Sequence, residues 1–144
     1  MSVSHILKSK GRDVVTVAPK ASVAAVAEIL ARRRIGAVIV SSDGVKIEGI
    51  VSERDVVRIL AEKGAASLTL AVDSIMTRDV KTCEDGDSEI EIMAMMTENR
   101  IRHLPVVASG KLAGMISIGD VVKSRIEAIE REAEEMKAYI AGAA

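Results

Sequence analysis

Gly49-Ile50-Val51-Ser52-Glu53-Arg54-Asp55-Val56-Val57 is echoed by Gly114-Met115-Ile116-Ser117-Ile118-Gly119-Asp120-Val121-Val122. Around this pair the chain continues to match itself. Thr16 answers Thr82, Ser22 answers Ser88 and Arg34-Ile35 answers Arg100-Ile101 at an offset of 66 residues, while the quoted segments lie 65 apart, so one residue is lost in a turn. A duplication of this kind marks a supersecondary unit that cannot bury its apolar face alone and stacks on its copy. The same segment is the one place where hydroxyls and carboxylates recur at fixed spacing, so fold and function are both read from it.

Each copy reads strand, helix, strand, turn, strand, helix. In the first, residues 14–17 form a β-branched run ended by Pro19. Ser22 is placed to cap a helix whose Val23, Val26, Ala27 and Leu30 share one face, and Gly36 is expected to stop it. Residues 37–40 are continuously apolar, as in a strand buried on both sides. Ser42-Asp43-Gly44 is a turn, residues 47–51 return as a strand, and a helix over 53–63 is expected to carry Val56, Val57 and Leu60 inward. The second copy predicts a strand over 81–83, a Ser88-capped helix with Met93, Met95 and Met96, and strands over 103–107 and 112–116 joined at Ser109-Gly110. Residues 72–76 open this unit with a short helical turn, and His5-Ile6-Leu7 is its counterpart. The expected units are therefore residues 1–66 and 67–144.

The last helix departs from the repeat. It is expected to run from Asp120 to about residue 141, with Val122, Ile126, Ile129, Ala133, Met136 and Ile140 spaced as a heptad seam between solvated charges. Either it lies along its own domain or it crosses to a second subunit. So long a helix has little left to pack on in so small a body, which favours the second subunit.

Composition narrows the function. The 144 residues suit one compact domain or two halves sharing a core, and 49% hydrophobic content is enough to build it. A net charge of −1 offers no field that would favour DNA or an anionic membrane. No apolar stretch approaches the ~20 residues needed to span a bilayer, and no signal peptide is visible at the start. The single cysteine excludes an internal disulfide and fits a reducing cytoplasm. With no Trp or Phe, and Tyr139 as the sole Tyr, the chain cannot stack bases on aromatic rings. Any base it holds must lie between aliphatic side chains and be read by backbone groups.

Two β-α-β-β-α units, each ending in Gly-apolar-apolar-Ser-x-x-Asp, resemble a pair of CBS (cystathionine-β-synthase) domains, the Bateman module, over nearly the whole chain. Ser52-Glu-Arg-Asp55, residues 96–105 and Ser117-Ile-Gly-Asp120-Val-Val122 are similar to the stand-alone two-CBS proteins of bacteria and plant organelles. The resemblance implies an α/β (α+β) fold with the repeats packed sheet to sheet about a pseudo-two-fold axis. It also implies an adenine nucleotide (AMP, ATP or NAD(H)) in the clefts between repeats, a homodimer, and a regulated partner protein.

The residues suit that chemistry. An ionised Asp can accept from both ribose hydroxyls, and a Ser three residues earlier sits at a helix N-terminus, where free N–H groups and the helix dipole favour phosphate. Ser52/Asp55 and Ser117/Asp120 are therefore the expected polar clamps. Thr16 and Thr82 correspond to the family's additional polar contact. The backbone at Ala37-Val38 and at His103-Leu104, next to Pro105, would read the adenine edge, and Ile35, Ile101 and Val106 would sandwich the ring. Ser-x-x-Asp is also an ordinary helix cap; its recurrence at the same junction favours binding.

The copies differ in charge. Gly36-Ala37 in the first corresponds to Arg102-His103 in the second, and Arg54 to Gly119. The expectation is that Arg100, Arg102 and His103 crowd one mouth and Arg54 the other, giving two unlike pockets. Solvated helix ends for the arginines and a satisfied strand histidine for His103 are the plainer alternatives. Cys83 and His103 are too few for a metal site. Cys83 and the Met cluster read as core. No phosphate-cradling glycine motif is present, and no nucleophile and base can be paired, so neither catalytic residues nor a catalytic cofactor is expected. Two other functions stand beside the sensor reading. One is a structural dimerising module with vestigial pockets. The other is an enzyme of nucleotide metabolism, prompted by IMP dehydrogenases that carry such a pair as an insert; the missing catalytic barrel argues against it.

Overall fold

A computed structural model describes residues 1–143 as an α/β fold with two small sheets and five α-helices, the last of them a long C-terminal helix. In the first repeat β1 (Thr16–Val17) runs parallel to β2 (Ala37–Val40), which pairs antiparallel with β3 (Gly49–Ser52). In the second, β4 (His103–Ala108) and β5 (Lys111–Ser117) pair antiparallel, with a register shift between Val106 and Val107. The helices are α1 (Val3–Lys10), α2 (Val23–Arg33), α3 (Glu53–Lys63), α4 (Glu89–Asn99) and α5 (Ile118–Ala143). Short 3-10 turns at Gly64–Thr69 and Val72–Ser74 connect the halves.

Several local expectations are corrected. Residues 81–83 do not form a strand. Cys83 alone bridges to Val106, because Glu84 then turns its N–H onto the Asp87 carboxylate at 2.8 Å and leads the chain away. The return strand of the first repeat begins at Gly49 rather than at residue 47. Gly36 does not end α2. Arg34 takes the left-handed cap at φ 52°, and Arg100 does the same for α4 at φ 53°. Such a conformation costs a non-glycine residue roughly 1–2 kcal/mol. Gly36 is needed for another reason: a Cβ there would lie 2.7 Å from the His103 ring. Val57 and Leu60 do not point inward; they are 66% and 43% exposed. Asp55 is the buried residue of α3, and turning it inward leaves only Val56 of that apolar group against the core.

The two cores exchange their entry segments. Val3, Ile6 and Leu7 of α1 pack with Cys83, Ile92, Leu104 and Ile116 of the second repeat, whereas Val72 packs with Val26, Val38 and Val51 of the first. Matching backbone bridges, Ser2 to Ser88 and Ala71 to Ser22, fasten the exchange. It also explains the glycine that opens each motif. A Cβ at Gly49 would meet the Met76 side chain and come within 3.0 Å of the Thr77 carbonyl oxygen, and one at Gly114 would lie 3.0 Å from Leu7. Each glycine thus admits the segment crossing from the other half.

α5 begins at Ile118, two residues before the expected Asp120. It lays Val121, Ser124 and Ala128 against the body. The heptad seam faces elsewhere: Val122, Ile126, Ile129, Met136 and Ile140 are 48–61% exposed. No helix among the described residues is long and apolar enough to cross a membrane.

Gly49→Ala is expected to destabilise the protein by about 1–3 kcal/mol through overpacking against Met76 and the Thr77 backbone. The urea midpoint should fall with the slope unchanged; an unaltered midpoint would show that the crossing segment has room to spare.

Candidate functional site

β3 ends at Ser52 and α3 begins at Glu53, and that turn is closed by a reciprocal cap. Asp55 Oδ2 accepts from the Ser52 N–H at 2.8 Å and the Ser52 hydroxyl at 3.1 Å, while the Asp55 N–H donates to Ser52 Oγ at 3.4 Å. The second repeat closes the same way. Asp120 Oδ2 accepts from the Ser117 N–H at 2.9 Å, and the Asp120 N–H donates to Ser117 Oγ at 3.2 Å. Both carboxylates therefore serve as helix caps through one oxygen. The cation held by each group differs, and only at Asp55 does it sit on the oxygen away from the cap. Asp55 Oδ1 takes Arg58 Nη2 at 2.5 Å, from one turn along the same helix. Asp120 Oδ2 takes Lys10 Nζ at 2.5 Å, from α1.

A cleft of about 380 Å³ opens at the first of these turns. Ser52, Arg54, Asp55 and Arg58 come from the first repeat, Arg100–His103 from the passage between α4 and β4, and Thr77, Asp79, Val80 and Lys81 from the connection between the halves. Five cationic side chains, Arg54, Arg58, Lys81, Arg100 and Arg102, line it against the carboxylates of Glu53, Asp55 and Asp79. Ile50, Val80 and Ile101 supply the apolar wall. The expectation of two separate cationic mouths is overturned: Arg54 and Arg100, Arg102 and His103 share one. The cleft is built from the strand-to-helix junction of one repeat and the helix-to-strand junction of the other, and this pairing crosses the two copies.

Of the expected residues, Ala37, Ser52, Arg54, Asp55, Ile101, Arg102 and His103 meet in this cleft. Thr16, Ile35 and Thr82 are half-buried outside its lining. Val38, Leu104 and Val106 are fully buried and Pro105 is buried, so Val106 is core and not a wall for a ring. Ser117 and Asp120 lie at the symmetry-related turn. The lining residues missed from sequence, Thr77, Asp79, Val80 and Lys81, belong to a connection with no counterpart motif. Arg58, by contrast, was legible as a cation one turn after Asp55 on a helix face. A second hollow of about 330 Å³ lies between the start of α4 and α5; it contains none of the expected residues, but Glu89, only 4% exposed, borders it and accepts from the Ser124 hydroxyl at 3.0 Å.

Burial, the largest influence, and the nearby Lys10 charge hold the His103 imidazole below its ordinary pKa of 6.5, against weaker opposing pulls from Glu53 and Asp120. Burial also works against ionisation of Asp120, but the Lys10 ammonium and the Ser117 N–H outweigh it, and the carboxyl ends below its usual 3.8. Burial, helped by Asp87, Asp85 and Glu84, pushes the Cys83 thiol up to about 12, as befits a core residue. For both His103 and Asp120 the folded pKa is lowered, so the unfolded chain binds the proton more readily. Their stabilising contributions are complete above the unfolded pKa and fade as pH falls. The urea midpoint should accordingly drop as pH falls below 6.5, and His103→Gln should flatten that limb. An equally steep limb in the variant would assign the effect to other groups.

Comparison with known proteins follows the same lines as the geometry. The CBS domain family matches residues 3–62 and 72–127. The mitochondrial CBS domain-containing protein CBSX3 of Arabidopsis thaliana is 32% identical over 149 aligned positions, covering 98% of this chain and 72% of that protein. A crystal structure of a CBS-domain-containing protein from Agrobacterium tumefaciens superposes with a TM-score of 0.84 at 48% identity, covering 87% of this chain and 99% of that one. A CBS domain protein from Pyrobaculum aerophilum, solved as a complex with AMP, gives a TM-score of 0.73 at 28% identity, with 83% and 89% covered. With two matched copies, a shared fold and a cleft assembled across both halves, this chain belongs to the CBS domain family as a tandem CBS pair.

Proposed function

We propose that this protein is a regulatory sensor that binds an adenine nucleotide in the cleft at Asp55 and passes the occupancy of that cleft to a partner protein. The observation that carries the reading is the convergence of one capping carboxylate, five cations and an aliphatic wall in a cleft shared by both repeats. Asp55 Oδ1 accepts from the ribose diol once Arg58, whose side chain is 60% exposed, swings into solvent. Arg54, Lys81, Arg100 and Arg102 face the phosphates, and Ile50, Val80 and Ile101 hold the base. The AMP complex of the Pyrobaculum aerophilum relative supports an adenylate; the cation count favours ATP or NAD(H) over AMP. A ligand touching both repeats binds one relative arrangement better than others, and that difference is what shifts the population a partner meets. The role is regulatory rather than catalytic.

The chain works as a homodimer in this reading. Its heptad seam on α5 is uncovered, and a second copy presents the same self-complementary row. The single buried Cys83 suits a reducing compartment such as the cytoplasm, although the Arabidopsis thaliana relative is named as mitochondrial.

Thermal melts with AMP, ATP and NADH test the ligand. At a hundredfold excess over Kd a bound nucleotide stabilises by about 2.7 kcal/mol, and no shift with any of them would favour a structural module whose Ser-x-x-Asp turns are helix caps only. Asp55→Ala should weaken binding about 10- to 100-fold, the loss of charge-assisted hydrogen bonds. Ser52→Ala, which removes the cap hydroxyl but keeps the carboxylate, should cost about 1 kcal/mol of stability and less affinity. For the dimer, light scattering should give twice the chain mass, and Ile126→Glu with Ile129→Glu should halve it; a monomeric parent protein would refute the seam.

A further inference from the structure

The exposed seam on α5 carries an ordered pattern of charge on its flanks. Val122, Ile129 and Met136 take the d positions of the heptad, and Ile126, Ala133 and Ile140 the a positions. The e positions beside them are then Lys123, Glu130 and Lys137, and the g positions Arg125, Glu132 and Tyr139. All of these are exposed. Among the described residues Arg125, Glu130 and Glu132 form no ion pair within the chain, and Lys137 meets only Glu134, at 3.5 Å, where both side chains are 75% exposed. α5 also outruns its own support. Val121, Ser124 and Ala128 are its buried residues, and from Ile129 to Gly142 every residue is exposed. A free helical segment of that length is marginal in water without an apolar partner. The seam lies roughly a third of a turn around the helix from the packed face, so the body and a second helix do not compete for the same side.

We infer that a second copy of this chain covers the seam in parallel and in register, so that α5 pairs with α5 as a two-stranded coiled coil. This rests on the homodimer reading above and adds the orientation. In a parallel pair each g residue faces the e residue of the next heptad in the partner helix. Arg125 then faces the partner's Glu130 and Glu132 faces the partner's Lys137, and two-fold symmetry repeats each pair. Each seam residue meets its own counterpart, and all six are covered. Antiparallel pairing that covers the same six sets Val122 against Ile140, Ile126 against Met136 and Ile129 against Ala133. Its flanks bring Glu130 to Glu130, Glu132 to Glu132 and Lys123 to Lys137, like charges at every charged pair. Sliding that arrangement by one heptad restores opposite charges but no longer covers all six seam residues. One exposed ion pair is worth little; the orientation follows because every pair agrees in sign. Parallel pairing also sets both bodies at the same end of the coil, and both Asp55 clefts with them.

Air oxidation of cysteine variants reads the orientation. Val122→Cys and Met136→Cys, each alone, are expected to give a disulfide-linked dimer, because a parallel pair sets each position against itself. The antiparallel pair sets them against Ile140 and Ile126, out of disulfide reach of their own copies. Cys83 does not compete, being buried with its thiol pushed up to about 12. Lys137→Glu is expected to weaken the dimer about tenfold in sedimentation equilibrium, since two pairs turn repulsive, and adding Glu132→Lys to it is expected to restore the affinity. Antiparallel pairing predicts the reverse, a tighter dimer for Lys137→Glu through relief of the Lys123 contact. Melting curves verify that each variant is folded. A dimer in which either introduced thiol fails to link, or which Lys137→Glu leaves as tight or tighter, overturns the orientation and leaves the homodimer reading intact. A monomeric unsubstituted protein overturns the homodimer reading, and this inference with it.

Discussion

Asp55 and Asp120 each accept a hydrogen bond from the backbone N–H of the serine three residues earlier, and the rest of the molecule is arranged around those two contacts. With the return bond from the aspartate N–H to the serine hydroxyl, it turns the chain from strand to helix and satisfies two backbone donors at the helix start. It also fixes the carboxylate at the rim of the sheet, where it faces the other repeat. On α3 it draws a charged residue inward at the start of the helix, so the apolar Val57 and Leu60 are turned outward. One contact thus sets the end of a strand, the rotation of a helix and the polar floor of a cleft.

The second organising fact is exchange. α1 completes the core of the second repeat, and Val72 enters that of the first. The glycine opening each motif exists for the passage of these segments, since a Cβ would strike Met76 in one copy and Leu7 in the other. Gly36 serves the same end at the junction itself, admitting the His103 ring from the opposite half. A duplicated unit with an incomplete core becomes stable by borrowing from its twin, and in doing so it places residues of both repeats at one cleft.

Charge then breaks the symmetry that the backbone keeps. The arginines that differ between the copies gather on one side, because a cleft takes its strand-to-helix turn from one repeat and its helix-to-strand turn from the other. The cation nearest the opposite carboxylate comes from α1 and is tied to the sheet edge as well. The two carboxylates are alike as caps and unlike in the cation that each one holds.

The sequence by itself determined the duplication, most of the helices and strands, the capping serines and the seam on α5, since these depend on local periodicity and on residues three or four apart. It could not show that residues 81–83 fail as a strand, because the Asp87 side chain that diverts the chain competes with ladder bonds too evenly to be weighed in isolation. It could not place the left-handed caps at Arg34 and Arg100, where glycine is the cheaper choice. Which face of α5 packs, which arginines share a mouth and where Lys10 reaches were decided only by the tertiary structure. The first depends on packing against α1 and α4 and the other two on residues more than 40 or 100 positions apart becoming neighbours, and no local pattern records such distances.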